Sequence, residues 1–312
     1  MDSTSGTTPP HDDSKPDGRD HAGRTPARTR TGTGSGAPPG TAPAVELRGA
    51  SKVFRTPSGA AHTAVRDLDL TVAQGEFVAV VGPTGCGKST TLTLVSGLEE
   101  PTEGEVLVGG EPVTGIRPDV GFVFQQDAVF PWRTVLSNVA AGPRFRGVPK
   151  DRARQRARDW LGRVGLAAFA DRYPHQLSGG QRKRVALAQT FVNDPAILLM
   201  DEPFSALDVQ TRALMSDELL DLWGGSRPDA AAASVVFVTH DLEEAIALAD
   251  KVVVMTAGPA TVKAVFPVRL PRPRKVESVR LEPEFVEIHR EIWASLGEEV
   301  RITRERGARS DH

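Results

Sequence analysis

A glycine-rich loop constrains the fold of this chain more than any other feature. Residues 82–89 (GPTGCGKS) follow the apolar run 76–81 and precede a short helix predicted over residues 90–97. Glycines let such a loop curl until its N–H groups point at phosphate oxygens, and the following helix adds the positive end of its dipole. A strand that enters this loop and a helix that leaves it indicate a phosphate-binding domain.

Strands and helices are predicted to alternate along the rest of the chain. Each apolar run is short enough for a buried strand, and segments of helical length separate the runs. Such alternation is typical of a mostly parallel sheet covered on both faces by helices, so the sequence predicts an α/β fold. The predicted strands are residues 197–200, 235–238 and 252–255, and the predicted helices are residues 181–192, 210–223 and 241–249.

Several polar side chains are predicted to meet at the end of the sheet that carries the loop. Lys88 can reach the terminal phosphates of a nucleotide, and the Ser89 hydroxyl can ligate Mg²⁺. Asp201 ends a buried strand, where its carboxylate can hold the water shell of the metal. Glu202 can orient or deprotonate an attacking water, and His240 follows the next strand. The loop alone fits kinases, GTPases and ATPases.

Further short motifs distinguish among these classes. They are FVFQ at residues 122–125, LSGGQ at 177–181, ILLMDE at 197–202, SALD at 205–208 and THD at 239–241. Together with the loop, these motifs resemble the motif set of ATP-binding-cassette (ABC) ATPases over about residues 45–255. In that resemblance they correspond, in this order, to the Q-loop, the signature motif, the Walker B strand, the D-loop and the H-loop.

The resemblance implies roles for these motifs. Gln125 is expected to contact Mg²⁺ or the lytic water, and His240 the γ-phosphate. Phe54 is expected to stack on adenine, with ordinary core packing as the alternative. The signature motif opens a helix and makes a second anion site, which in the family faces the γ-phosphate held by another subunit. Two copies of the chain would then enclose two ATP molecules head to tail.

The predicted site therefore has catalytic, nucleotide-binding and metal-binding members, with ATP and Mg²⁺ as the expected cofactors. The catalytic candidates are Glu202, His240 and Gln125, and the metal ligands are Ser89, Gln125 and Asp201. The nucleotide-binding candidates are Phe54, Gly82, Pro83, Thr84, Gly85, Cys86, Gly87, Lys88, Ser89, Thr90, Ser178, Gly179, Gly180, Gln181 and Asp208.

Composition limits the other classes of function. The formal net charge of −2 gives no bulk attraction to nucleic acid, and no nucleic-acid partner is expected. No apolar run approaches the ~20 residues that a membrane helix needs, so other chains would do the spanning. Residues 1–43 contain almost no large apolar side chains and are predicted to be a disordered tail.

The single cysteine, Cys86, excludes an intramolecular disulfide and favours a reducing compartment. It lies in the phosphate-binding loop just before a helix, where thiolates are stabilised. We expect alkylation of Cys86 to obstruct the phosphates, although the thiol itself is incidental to function.

Two further segments narrow the resemblance to one branch of the family. Residues 125–135 (QQDAVFPWRTV) and 270–274 (LPRPR) look like the ATPases of nitrate, sulfonate and taurine importers. This implies a peripheral subunit at the cytoplasmic face of the cell membrane, with permease subunits as partners and, indirectly, a substrate-binding protein. The implied cargo is a small anion, with thiamine or riboflavin precursors also open. We expect residues 130–135, with an exposed Trp132, to line a groove for a short cytoplasmic helix of the permease.

The resemblance also implies how the chain is divided. The ABC ATPase domain is expected over residues 44–265, as a RecA-like P-loop NTPase core with an antiparallel β subdomain at about 45–71. A helical signature-motif subdomain is expected at about 128–173. Residues 266–312 are predicted to be a C-terminal extension whose amphipathic helix packs on its own domain. The apolar face of that helix comprises Phe285, Ile288, Ile292 and Leu296.

Two other classes of function are alternatives to transport. A soluble ABC ATPase acting on ribosomes or DNA is the main alternative. Ribosome-associated relatives carry two cassettes, however, and DNA-repair relatives insert long coiled coils between the loop and the signature motif; neither feature is present. A nucleotide-binding regulator without turnover is disfavoured by Glu202 and His240. The sequence therefore predicts ATP hydrolysis coupled to import.

Overall fold

The computed structural model describes residues 42–56, 59–225 and 232–310 of the chain. The predicted disordered tail therefore lies, up to residue 41, outside the described residues. The strands are β1 Val45–Arg55, β2 Ala61–Val72, β3 Phe77–Val81, β4 Glu103–Val108, β5 Glu111–Pro112, β6 Val120–Val123, β7 Ile197–Asp201, β8 Ser234–Val238, β9 Lys251–Met255 and β10 Val262–Pro267.

The helices lie between and after these strands. They are α1 Lys88–Ser96, α2 Val135–Val139, α3 Ala141–Phe145, α4 Lys150–Arg163, α5 Gly179–Phe191, α6 Val209–Gly225, α7 Leu242–Leu248, α8 Val276–Val279 and α9 Pro283–Ser310, with short 3₁₀ turns at Ala167–Phe169 and Pro174–Gln176. None of the helices in the described ranges combines the length and the apolarity needed to cross a bilayer.

The larger sheet of the described residues has the strand order β10-β9-β3-β8-β7-β6. All neighbouring strands in it are parallel except β10, which runs antiparallel to β9. Every residue of β3 and β8 is buried, because helices or the second sheet cover both faces. The carboxyl ends of β3, β7 and β8 meet at one edge, which brings their following residues together. This arrangement confirms the predicted α/β fold.

The smaller sheet is antiparallel, with the order β2-β1-β4-β5. It is larger than the subdomain expected at residues 45–71, because β1 pairs along its other edge with β4. A hairpin at Gly109 and Gly110 joins β4 to β5, and both glycines adopt positive φ, at 61° and 83°. Local sequence pattern could indicate this hairpin, whereas the pairing of β1 with a distant strand could not be read from it.

Helices α2, α3 and α4 pack on α5 around a separate apolar core. Within α4, Ala153, Ala157 and Leu161 face this core, and most of the arginines lie on the exposed side. The predicted helical subdomain is therefore present, and the signature helix α5 forms part of its core.

Residues after β10 fold back onto the larger sheet. Phe285, Ile292 and Leu296 of α9 are buried in the same apolar cluster as α7, and Ile288 is half-buried. The helix thus packs on its own domain, as expected, and it extends to Ser310, beyond Leu296, the last residue of the expected apolar face. Its far end reaches the edge of the sheet that carries the phosphate-binding loop, because Thr303 lines a cavity with Thr84 and Gly85.

Candidate active site

The phosphate-binding loop connects β3 to α1 and has the curled backbone that its sequence predicts. Gly85 and Gly87 adopt φ values of 75° and 123°, which favour glycine. A Cβ at Gly87 would approach the Ala64 carbonyl oxygen to 2.5 Å, so a larger residue cannot fit there. Lys88 is 6% exposed, and its Nζ donates to the carbonyl oxygens of Gly82 at 2.9 Å and Pro83 at 3.0 Å. The amine is therefore held over the loop.

Two oxygen-bearing side chains meet beside the loop. The Ser89 hydroxyl donates to Asp201 Oδ1 at 3.0 Å. Burial raises the pKa of Asp201 above its usual range, while the hydrogen bond from Ser89 opposes that shift. A hydroxyl and a carboxylate are the hard oxygen ligands that Mg²⁺ prefers, so these residues fit the predicted metal.

Glu202 and His240 form a pair at the ends of β7 and β8. His240 Nδ1 lies 2.9 Å from Glu202 Oε2. An ionised carboxylate can only accept, so the histidine Nδ1 donates the hydrogen bond. Glu202 has a φ of 42°, which is uncommon for a residue with a side chain and is typical of functional positions. Its N–H donates to the Val238 carbonyl, which fixes this backbone conformation against the neighbouring strand.

One cleft of about 520 Å³ contains most of the predicted site. It brings together residues from both sheets, and Phe54 at its rim is 38% exposed with Lys52 Nζ 5.2 Å from its ring centre. His62, which the sequence did not suggest, pairs with Phe54 across the β1–β2 hairpin and also lines the cleft. The lining comprises Phe54, His62, Ala64, Thr84, Gly85, Gly87, Lys88, Ser89, Thr90, Gln125, Glu202 and His240.

Gln125 is exposed at the cleft, and its backbone is tied to the signature helix. Lys183 of α5 is 4% exposed and its Nζ lies 2.7 Å from Asp127 Oδ1. The same amine donates to the Gln125 carbonyl at 3.4 Å. This connection between the Q-loop and α5 was missed in the sequence, because no local pattern pairs residues so far apart.

The signature motif does not line the cleft. Ser178 is exposed at the N-terminus of α5, where its hydroxyl accepts from Gln181 N at 3.2 Å. Gln181 Oε1 accepts in return from Ser178 N at 2.9 Å, which completes a capping box. Gly179 and Gly180 form the first turn of the helix between them. These residues thus present a helix N-terminus on the surface, away from the loop of the same chain.

Asp208 is also absent from the cleft lining. It is exposed, and its Oδ1 accepts from Thr211 N at 3.0 Å, a hydrogen bond that lowers the pKa of this carboxyl. Arg212, one turn later, donates to the Leu207 carbonyl at 3.1 Å and pairs with Asp241 at 2.8 Å. The D-loop is therefore linked to the residue that follows His240.

A buried carboxyl group, that of Glu244, lies next to the H-loop and contacts its first residue, Thr239. Glu244 is 4% exposed, and Thr239 Oγ1 donates to it. Burial raises the pKa of Glu244 to about 7, which outweighs the opposing effect of the hydrogen bond from Thr239. No sequence pattern points to this residue, because a glutamate in the first turn of a helix is ordinarily exposed.

The structure corrects the expectation for Cys86. Its side chain is 3% exposed, and burial raises the pKa of the thiol above its ordinary value, with Lys88 acting in the opposite direction. Proximity to a helix N-terminus is therefore outweighed by the loss of solvent. Cys86 is a buried, protonated thiol rather than a stabilised thiolate.

Comparison with known proteins identifies the family of the chain. The family model described as ABC transporter matches residues 65–205. The chain is 44% identical over 256 residues to an uncharacterised ABC transporter ATP-binding protein of Methanocaldococcus jannaschii, covering 82% of this chain and 92% of the relative. It is 38% identical over 265 residues to the nitrate import ATP-binding protein NrtD of Synechocystis sp., covering 83% and 97%.

A solved structure is similar along its whole length. A dimeric ATP-binding cassette in a post-hydrolysis state, bound to ADP and Pi, superposes with a TM-score of 0.63 at 32% sequence identity. The match covers 73% of this chain and 100% of that chain.

Proposed function

Because this chain belongs to the ATP-binding proteins of ABC transporters, we propose that it hydrolyses ATP to power a multi-subunit importer for a small anion. The observation that carries the catalytic part is the convergence, in one cleft, of Lys88 and Ser89 with the Glu202–His240 pair. The importer part is supported by the similarity to a nitrate import protein.

Phosphate binding falls to the loop and to Lys88. The N–H groups at the start of α1 point along the helix axis toward the cleft, and the Lys88 amine adds a full positive charge. Ser89 and Asp201 would hold Mg²⁺, which when bound supplies neutralisation of phosphate charge. The exposed face of Phe54 is available to stack on adenine at the rim.

Glu202 would act on water. Its carboxylate is oriented by His240 Nδ1 and by a backbone held in an unusual conformation, so that little reorganisation is needed when a water binds. To donate to the γ-phosphate as well, the other ring nitrogen of His240 would also have to carry a proton. Gln125 borders the same cleft and would contact the metal or the lytic water.

A second copy of the chain would complete the site. The N-terminus of the signature helix α5 would bind an anion, and it does not line the cleft of its own chain. Asp208 is likewise exposed outside that cleft. In a head-to-tail dimer each signature motif would cover the nucleotide of the partner. The similarity to a dimeric cassette supports this arrangement.

A groove between β6, α3 and α5 is the proposed seat of a permease helix. It has a volume of about 220 Å³ and is lined by the aromatic side chains of Phe122, Phe124, Phe130 and Phe145. Of residues 130–135, which were expected to line the groove, only Phe130 does so. Trp132 is 72% exposed beside it, with its ring 5.8 Å from that of Phe130. An exposed tryptophan next to an apolar groove makes a good anchor for an amphipathic helix.

Trp132→Ala tests this seat. We expect it to weaken co-purification with the permease while leaving the ATPase activity of the free chain unchanged. Trp293→Ala is the matched control, because Trp293 is also exposed, at 62%, but lies on α9. Loss of basal ATPase activity with the permease still bound would place the docking surface elsewhere.

The remaining parts of the proposal concern location and organisation. The chain would act peripherally at the cytoplasmic face of the membrane, and a substrate-binding protein would deliver cargo to the permease. The cargo would be nitrate, a sulfonate or taurine. We also propose the division into a tail at 1–43, an ATPase domain at 44–265 and an extension at 266–312.

Reconstitution tests the function as a whole. The chain would be purified from membranes with its co-purifying permease and placed in proteoliposomes, and MgATP-dependent uptake of nitrate, taurine and an alkanesulfonate would be measured. We expect uptake of one of these anions, and none with Lys88→Ala. Co-purification with ribosomes or DNA instead of a membrane protein would contradict the proposal.

A further inference from the structure

The C-terminal helix carries a buried carboxylate near the phosphate-binding loop. Glu299 of α9 is 6% exposed, and its Oε2 accepts from the N–H of Ala257 at 2.7 Å. Its other oxygen lies 2.7 Å from Lys263 Nζ. A carboxylate is costly to bury unless charged and hydrogen-bonding partners satisfy it, and here both oxygens have such a partner.

Ala257 belongs to the connection between β9 and β10, residues 256–261, which we call the β9–β10 turn. This turn lies against the phosphate-binding loop. A Cβ placed at Gly87 would lie 2.8 Å from Ala260 Cβ, and one placed at Gly258 would lie 3.9 Å from Cys86 Cα. Ala260 also donates to the Ala64 carbonyl at 2.9 Å, next to the point where Gly87 passes. A shift of the turn would therefore displace the residues of the phosphate-binding loop that the turn contacts.

A cavity of about 360 Å³ borders the outer side of the turn and is lined by residues 257–259, by Thr84 and Gly85 of the loop and by Thr303 of α9. Beside this cavity Glu299 Oε2 accepts from the Ala257 N–H, which joins α9 to the turn. A charge-assisted hydrogen bond of this kind is stronger than a neutral one and fixes direction as well as distance.

We propose that Glu299 is a positioning residue for the nucleotide site, which it serves by holding the β9–β10 turn against the phosphate-binding loop. The C-terminal helix α9 then contributes to the structure of the ATP site. The inference rests on the proposed ATP site of the preceding subsection. It assigns to Glu299 the affinity for nucleotide, and not the chemical step.

The neighbouring Glu298 provides a matched control. It pairs with the same Lys263 and lies on the same turn of α9, but its side chain is 57% exposed. In the described residues its hydrogen bond is to Lys263, and it does not reach the turn. Loss of charge from α9 is thus common to substitutions at both positions, whereas loss of the link to Ala257 is specific to Glu299.

The experiment compares Glu299→Leu, Glu299→Gln and Glu298→Leu in the full chain. MgATP binding, the KM for ATP, kcat and the thermal midpoint would be measured for each. We expect Glu299→Leu to weaken MgATP binding and to raise KM by about tenfold with kcat nearly unchanged, since one charge-assisted hydrogen bond is lost. Glu299→Gln keeps an acceptor for the Ala257 N–H and should restore most of the affinity. Glu298→Leu should match the unsubstituted protein.

Several results would overturn the inference. They are an unchanged KM in Glu299→Leu, an equal effect of Glu298→Leu, or a fall in thermal midpoint and kcat with KM unchanged. Should Glu299→Leu fail to fold, hydrogen exchange at the Ala257 amide of the unsubstituted protein decides, because MgATP should slow that exchange and no change would contradict the proposal. Failure of the unsubstituted protein to bind MgATP would instead refute the ATP site itself.

Discussion

The phosphate-binding loop and the signature motif both have glycines at a helix N-terminus, yet the two differ in burial and in the residues around them. Lys88 is buried, and the cleft around it collects side chains from both sheets. Ser178 is exposed, and its polar groups are satisfied by Gln181 within the same turn. The first proposed anion site is therefore assembled from distant parts of the chain, and the second lies at the exposed start of one helix.

The difference bears on the proposal that a second copy of the chain completes the site. A helix N-terminus with a completed capping box is rigid and keeps its remaining N–H groups directed outward. Such a surface can bind a phosphate that another molecule presents. The cleft, in contrast, is lined by Ser89, Gln125, Glu202 and His240, the proposed metal-binding and catalytic side chains. The proposed head-to-tail dimer would bring such a surface of one chain to the cleft of the other.

The largest expected effect tests the cleft. Glu202→Gln keeps the shape of the side chain but removes the carboxylate that would accept a proton from water. We expect kcat to fall by about 10²- to 10⁴-fold with MgATP affinity retained, as measured by steady-state hydrolysis and equilibrium binding. Glu243→Gln, an exposed carboxylate on α7, is the control and should hydrolyse ATP normally. Normal turnover in Glu202→Gln would remove this residue from the catalytic role.

The next effect tests the signature motif. Ser178→Arg places a bulky side chain at the N-terminus of α5, and we expect hydrolysis to fall by roughly 10²-fold, the size of effect seen when one transition-state donor is lost. Binding of MgATP to the monomer should be unchanged, because Ser178 does not line the cleft.

Mixing two inactive variants tests whether the phosphate-binding loop of one chain acts together with the signature motif of another. Lys88→Ala and Ser178→Arg chains, once combined, should recover part of the activity. A mixed dimer would join the intact loop of one chain to the intact signature motif of the other. Absence of any recovery would mean that both motifs act within a single chain.

A smaller effect concerns how tightly the loop is packed. Because burial keeps the Cys86 thiol protonated, we expect N-ethylmaleimide to modify the folded protein at least about tenfold more slowly than the unfolded chain. Mass spectrometry over time would measure both rates. Once modified, the protein should lose ATPase activity, since the adduct must displace the loop. Equal rates in the folded and unfolded protein would contradict the buried placement.

The smallest effect concerns Glu244, the buried carboxyl group that contacts Thr239, the residue before His240. The pKa of Glu244 is raised from 4.5 to about 7, so between these values the native state retains a proton that the unfolded chain releases. The free energy of unfolding therefore decreases as the pH rises from 4.5 to about 7. Glu244→Gln should remove this dependence and be about 1–3 kcal/mol more stable than the unsubstituted protein at pH 8, with little difference at pH 4.5. Urea unfolding at both pH values measures this, and parallel pH profiles would contradict it.

Much of the site could be predicted because its residues act locally. The loop at 82–89, the carboxylates at the end of β7 and the histidine after β8 each follow a buried strand, and the structure places them at the same edge. Lys183 and Glu299 could not be found in this way. Their partners lie 58 and 42 residues away in the chain, and no local pattern links a lysine or a glutamate to a backbone group so distant.

The sequence by itself determined the α/β architecture, the phosphate-binding loop and the identity of the residues around it, because hydrophobic periodicity and glycine spacing act over a few residues. The tertiary structure alone decided which of these residues share a cleft, how far the smaller sheet extends and where α9 ends. It also decided that Cys86 stays protonated and that Glu244 titrates near neutrality. Burial depends on every element that packs around a group, and the loss of solvent outweighs the nearby dipoles and charges that a sequence can reveal.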